Sequence, residues 1–157
     1  MDYAGLIAEF GANYGMDGLA PDENGAVGFE VDGRPFAIQI MPESESVVAT
    51  VELGAEIEAT AVNRLMMRTN QSLFMLEGMA IVLHPATSHY CLMIRFDITA
   101  LDYAGFDAKI GHLLERAEQW AKFFENYRPV AGEAAANRVN NPEPAESEIP
   151  FADMLRV

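Results

Sequence analysis

The stretch that decides the fold is VGFEVDGRPFAIQI, residues 27–40. Apolar side chains alternate with polar or small ones on both sides of Asp32-Gly33, which is the period of a strand with one buried face. Asp and Gly tolerate the positive φ angles that a two-residue hairpin turn requires. The stretch therefore predicts an antiparallel hairpin with strands at Val27–Val31 and Phe36–Ile40.

The elements next to this hairpin follow from the same reasoning. A loop from Pro42 to Ser46 leads into a third alternating strand, so the three strands form a meander. Before the hairpin, residues 3–14 have helical spacing, with one apolar face formed by Tyr3, Leu6, Ile7, Phe10 and Tyr14. The turn between helix and hairpin is Asp22-Glu23-Asn24-Gly25, and its ligand spacing does not fit a calcium loop.

Helical spacing returns after the meander and predicts a second helix from about Glu56 to Met75. Its buried stripe is formed by Val62, Leu65, Met66, Thr69 and Leu73. Met67 and Phe74 point away from that stripe, and a helix with two apolar sides usually has two buried sides. Strands are predicted at Met79–His84 and His89–Asp97, followed by a third helix capped by Asp102. The order α-β-β-β-α-β-β-α indicates the α+β class.

The composition changes after Arg128. We expect a folded domain over residues 1–128 and a polar tail over residues 129–157. This tail carries a final apolar motif, and we expect the motif to dock into an apolar groove of its own or a neighbouring subunit. The residues expected to dock are Ile149, Phe151, Met154 and Leu155.

Charge restricts the class of partner. The 157 residues include 10 Lys and Arg against 24 Asp and Glu, a net charge of −14. This sign disfavours nucleic acid and anionic membranes. Twelve of the acidic residues and a single basic one lie in residues 1–60. They could steer a basic partner or form a solvated surface. The N-terminal residues lack a signal-peptide pattern and no apolar run could span a bilayer, so we expect a cytoplasmic protein.

Catalytic patterns are missing from the sequence. It contains three histidines and one cysteine, Cys91, so it lacks the second cysteine that a typical structural zinc site has. There is no phosphate-binding loop, dinucleotide fingerprint or nucleophile elbow. We therefore expect neither an enzyme nor a cofactor or metal site. Nine Met and nine Phe favour interaction surfaces instead, and Met67, Phe74, Met75 and Phe123 are predicted to be exposed or to form an interface.

Several segments together resemble the class I type III secretion chaperones, which escort effectors to a bacterial injection apparatus. The first is LIAEFG at residues 6–11, followed by the 22–25 turn and the alternating strands. LMMRTN at residues 65–70, with Leu73-Phe74, is similar to the family's central helix. AEQW at residues 117–120 is similar to the end of its last helix. The similarity covers residues 3–127. The sequence departs from the family pattern in two places. Family members often carry a Gly-rich stretch after the central helix, where this sequence has only Glu77-Gly78, and the tail from Pro129 to Val157 is longer than the family pattern.

The resemblance implies a non-enzymatic homodimer, each subunit with a twisted antiparallel sheet of about five strands and three helices. The central helix would build the dimer interface, through Met67, Asn70, Phe74 and Met75. The client, a secreted effector, would bind in extended form and be kept competent for secretion. We expect client contacts on the first helix and the meander, with Phe29, Phe36, Ile38 and Val48 as candidates. Phe29 and Ile38 could equally face the core under the helices.

Two other functions are compatible with the sequence. A regulator or adaptor could use the same fold. A small-ligand-binding α+β domain would instead need one deep pocket with convergent polar groups. The identity of the client is not encoded in any motif that we recognise.

Overall fold

The alternating stretch at residues 27–40 forms the predicted hairpin. Its turn residues Asp32 and Gly33 have φ angles of 50° and 75°, as a turn with two left-handed residues requires. Val27 pairs with Ile38 and Phe29 with Phe36, so apolar residues lie opposite each other on one face. The computed structural model describes residues 2–57, 60–99 and 101–127.

Three α-helices and a five-stranded antiparallel sheet form the described part of the chain, in the predicted order α-β-β-β-α-β-β-α. The α+β prediction is therefore confirmed. The helices are α1 (Tyr3–Asn13), α2 (Thr60–Glu77) and α3 (Tyr103–Asn126), and the strands are β1 (Ala26–Val31), β2 (Arg34–Met41), β3 (Ser46–Ala55), β4 (Met79–Leu83) and β5 (His89–Asp97). The strands lie in the sheet in the order β1-β2-β3-β5-β4.

The core lies between one face of the sheet and the helices α1 and α3. Register brings buried residues of neighbouring strands into rows, for example Ile38, Ala49, Ile94 and Met79. Phe106 of α3 lies in the centre of this layer and contacts the rings of Phe10 and Phe96. We refer below to the opposite face of the sheet as the outer face.

Two aspartate side chains hold local structure through hydrogen bonds to nearby main-chain N–H groups. Asp102 caps α3 as predicted, because its carboxylate accepts a hydrogen bond from the Gly105 N–H at 2.9 Å. The carboxylate of Asp22 accepts hydrogen bonds from the N–H groups of Asn24 and Ala26, both at 2.8 Å. The acidic turn at residues 22–25 is therefore held by its own side chain.

The second helix begins at Thr60, four residues later than predicted. Glu56 donates its N–H to the Ser88 carbonyl at 2.9 Å, which extends the pairing of β3 with the chain entering β5. A main-chain hydrogen bond to the sheet thus prevails over helical spacing at this point. Leu65, assigned to the buried stripe, is 41% exposed, whereas Val62, Met66 and Leu73 are buried.

Candidate partner-binding and dimer surfaces

Helix α2 exposes apolar side chains on two opposite flanks. Phe74 and Leu76 are 68% and 82% exposed. Two residues apart, they point about 200° apart around the axis at about 100° per residue. Phe74 shares its direction with Met67, which is 77% exposed, and we call this pair the first flank. Leu76 belongs to the second flank, which faces α3. The predicted exposure of Met67, Phe74 and Met75 is thus observed in the single chain.

Asn70 has a different position from the other predicted interface residues. Its side-chain amide donates to the Ile81 carbonyl at 2.8 Å and accepts from the Ile81 N–H at 2.7 Å. Ile81 lies on β4, at one edge of the sheet. The amide therefore takes the place of a paired strand residue and fixes α2 beside that edge. Asn63, about two turns earlier on the same side, accepts from the Tyr90 hydroxyl at 2.7 Å.

The two edges of the sheet differ for this reason. Edge strand β4 has α2 beside it, with Asn70 occupying main-chain groups of Ile81. Edge strand β1 pairs with β2 on one side, and on its other side the described residues supply only the hydrogen bonds between Asp22 and the main chain of Ala26, at the start of the strand. An unpaired edge presents main-chain donors and acceptors to an added strand.

The four predicted client residues lie on both faces of the sheet. Phe36 and Ile38 are 2% and 0% exposed and belong to the core below the helices. In this folded state their side chains are buried, and Phe36 also borders the outer-face groove described below. Phe29 is half-buried on β1, with its ring 5.8 Å from that of Phe10. Val48 is half-buried on the outer face.

An open groove of about 290 Å³ lies on the outer face, and Val48 does not line it. Within it, burial and the charge of Glu52 raise the pKa of the Cys91 thiol to about 11. The thiol is therefore protonated at neutral pH, and Cys91, which is 5% exposed, packs as a small apolar residue as predicted. The groove is lined by Pro35, Phe36, Ala37, Thr50, Glu52, His84, Thr87 and Cys91.

The histidines near this groove do not gather into a metal site. Nδ1 of His89 lies 2.7 Å from a carboxylate oxygen of Glu52, while His84 is exposed at the β4 end. No group of three or more His, Cys, Asp or Glu in the described ranges is arranged to hold a metal ion.

A second groove, between α2 and α3, was not predicted from the sequence. Its volume is about 460 Å³. Glu77 closes one end, because its carboxylate accepts from Arg116 Nε at 2.7 Å and lies 3.1 Å from His112 Nε2. Periodicity gave no signal for it, because Leu76 lies one heptad after Thr69 and so continues the predicted buried stripe, yet it is 82% exposed. The lining residues are Thr69, Ser72, Leu73, Leu76, Glu77, Arg116, Gln119, Trp120 and Phe123.

The remaining predicted residues are Phe123 and the apolar motif of the tail. Phe123 is half-buried in the α2–α3 groove, with its ring 5.7 Å from Trp120. Ile149, Phe151, Met154 and Leu155 lie outside the described residues, and so does the predicted boundary after residue 128. Their docking stays a prediction.

The exposed surfaces of the described chain indicate its class. Its distinguishing features are surfaces that proteins bind, namely exposed large apolar side chains on a helix and an unpaired strand edge. No helix in the described part of the chain combines the length and the apolar character needed to cross a membrane. The class is that of a protein-binding α+β domain.

The family follows from residues 5–121, which match the Tir chaperone protein (CesT) family. The chain belongs to this family, and the resemblance inferred from its sequence is confirmed. CesT-family chaperones are non-enzymatic proteins that bind effectors, so the chain is a non-enzymatic chaperone of type III secretion. Compared one by one with curated proteins, the sequence matches none significantly.

Solved structures show the same fold at low identity. A chain of the ExsC–ExsE complex has a TM-score of 0.70 at 20% identity, covering 78% of this chain and 96% of that one. A chain of the HopA1–SchA chaperone–effector complex has a TM-score of 0.66 at 15% identity, covering 76% and 93%. A chain of the complex of the Yersinia pestis type III secretion chaperone SycH with a stable fragment of YscM2 has a TM-score of 0.59 at 20% identity, covering 76% of this chain and 99% of that one.

Proposed function

We propose that this chain is a cytoplasmic escort chaperone that acts as a homodimer. It binds an extended segment of one secreted effector and keeps that effector competent for secretion. The observation that carries the proposal is the exposed apolar first flank of α2 in a chain of the CesT family.

The dimer is supported by the first flank. Met67 and Phe74 are one heptad apart, so their side chains lie about 10 Å apart along the helix. Under two-fold symmetry the same patch meets itself, so both copies of each residue are covered together. Asn70, already bonded to Ile81, contributes by fixing the angle of α2 and not by reaching across the interface.

The client site is supported by the unpaired edge of β1. A client segment in extended form would pair with this edge through main-chain hydrogen bonds and place alternate side chains on either face. Phe29 offers apolar surface on the helix side, and Glu30 offers a negative charge on the outer face. The acidic residues 1–60 surround this half of the sheet and favour a client segment that carries Lys or Arg.

Hydrogen exchange on the purified complex tests the client site. The chaperone is first used to isolate its secreted partner from the native bacterium. Amide exchange of residues 26–31 should slow when the partner binds, whereas residues 79–83 of β4 serve as the internal control and should not change. Slowed exchange on β4 without any on β1 would contradict the site.

Secretion by the native bacterium tests the role. Deletion of the chaperone should abolish secretion of that one partner and leave other secreted proteins at their normal level. A partner that is secreted normally, together with altered expression of many secretion genes, would show a regulator and not an escort. Association should also be faster in low salt than in high salt, because charges at the rim of a site act mainly on the association rate.

A further inference from the structure

The groove between α2 and α3 is separate from the surfaces used in the proposed function. Its α2 wall is the second flank, which points about 200° away from Phe74. Leu73 forms the buried floor, and Leu76, Trp120 and Phe123 supply apolar walls. A volume of about 460 Å³ falls in the range of roughly 300–1,000 Å³ that holds a few side chains of a ligand.

We infer that this groove is the docking site for residues 149–157 of the same chain. That segment reads IPFADMLRV, and Phe151, Met154 and Leu155 have the i, i+3, i+4 spacing of one apolar helical face. Their three large apolar side chains would pack against the apolar walls formed by Leu76, Trp120 and Phe123.

Chain length allows this docking. The groove lies beside Trp120 and Phe123, so it is within about 10 Å of Tyr127, where the described chain stops. A flexible linker as long as residues 128–148 has a root-mean-square span of roughly 25 Å. Residues 149–157 therefore reach the groove from their own α3, at an effective concentration on the order of 1 mM.

Charge at the rim of the groove also matches the segment. Arg116 and Glu77 lie at the rim, and their side chains are 37% and 18% exposed. Asp153 and Arg156 carry the opposite charges three residues apart, on either side of Met154 and Leu155. A segment with the apolar residues inserted can place Asp153 and Arg156 beside the Arg116–Glu77 ion pair at this end of the groove.

Trp120 provides the test, because it is the single tryptophan of the sequence and lines the groove. In the full chain, Phe151→Asp with Leu155→Asp should shift Trp120 emission to longer wavelength and increase its quenching by acrylamide. The matched control is Ala145→Asp with Ser147→Asp, which adds the same charge outside the apolar motif and should leave both signals unchanged. Equal signals from all three chains would overturn the inference.

A peptide with the sequence of residues 149–157 gives a second measurement. Added to the Phe151→Asp/Leu155→Asp chain, it should restore the original emission, and a Kd below about 1 mM would mean that the tethered segment is mostly docked. A Kd above about 10 mM would overturn the inference. Dilution of the unaltered chain should not change Trp120 emission, whereas loss of protection on dilution would assign the groove to a second copy. These measurements contain no client. A negative result would therefore contradict the docking of residues 149–157 without contradicting the chaperone role.

Discussion

Substitution of Phe74 gives the sharpest test of the proposed dimer. Its ring is 68% exposed in the single chain, so Phe74→Glu removes little burial from the subunit itself. Covering a whole Phe side chain contributes about 1.5–3 kcal/mol, so covering the exposed part contributes about 1–2 kcal/mol per copy. Two-fold symmetry doubles this to about 2–4 kcal/mol per dimer.

The expected change in dimer affinity follows directly. At about 1.4 kcal/mol per factor of ten, the dimer dissociation constant should rise roughly 30- to 700-fold. The two new carboxylates lose water when they enter an apolar interface, which adds to this value. Sedimentation equilibrium over a concentration series measures the constant, and circular dichroism with thermal unfolding checks that the subunit stays folded.

Leu76→Glu is the matched control for this substitution. Leu76 is 82% exposed on the same helix, and the same charge is added, but it lies on the second flank. Its dimer dissociation constant should equal that of the unaltered chain. Equal weakening by both substitutions, or an unaltered chain that is monomeric at micromolar concentration, would refute the reasoning from the first flank.

Two further predictions concern the fold around these surfaces. Asn70→Ala removes both hydrogen bonds to the β4 edge and should lower the free energy of unfolding by about 1–3 kcal/mol in urea titration, whereas the exposed neighbour Gln71→Ala should change it little. Equal effects would contradict the role assigned to Asn70. Cys91 should react with a thiol reagent at pH 8 roughly a hundred times more slowly in the folded chain than in urea, since its pKa is about 11 instead of 9. Because folding raises this pKa, the associated stability is present below pH 9 and decreases as the pH rises through 11; similar reaction rates in both states would contradict the burial.

Much of the fold could be predicted from local sequence. The period of two at residues 27–40 fixed the hairpin, since a one-residue slip would expose every apolar side chain. Asp32 and Gly33 fixed its turn, and Asp102 fixed the start of α3. These features depend on backbone preferences and side chains a few residues apart, so they can be read without the rest of the chain.

The candidate surfaces were predicted less completely. Periodicity identified Met67 and Phe74 as lying off the buried stripe, because that depends only on helix geometry. It did not show that Phe36 and Ile38 face the helices, because alternation gives two faces without saying which one is covered. Docking of α1 and α3 onto the sheet decides that and leaves Val48 on the opposite face, whereas Phe29 lies on the helix side and is half-buried on the edge strand β1.

Pairings between distant segments were decided by tertiary structure alone. Strand β5 lies between β3 and β4 in the sheet, and no local signal encodes that order. The same arrangement places Asn70 against Ile81 and opens the groove between Leu76 and Trp120. Sequence patterns determine which side chains share a face of a helix or strand. Packing determines which other element covers that face, because the apolar area buried depends on all the elements together.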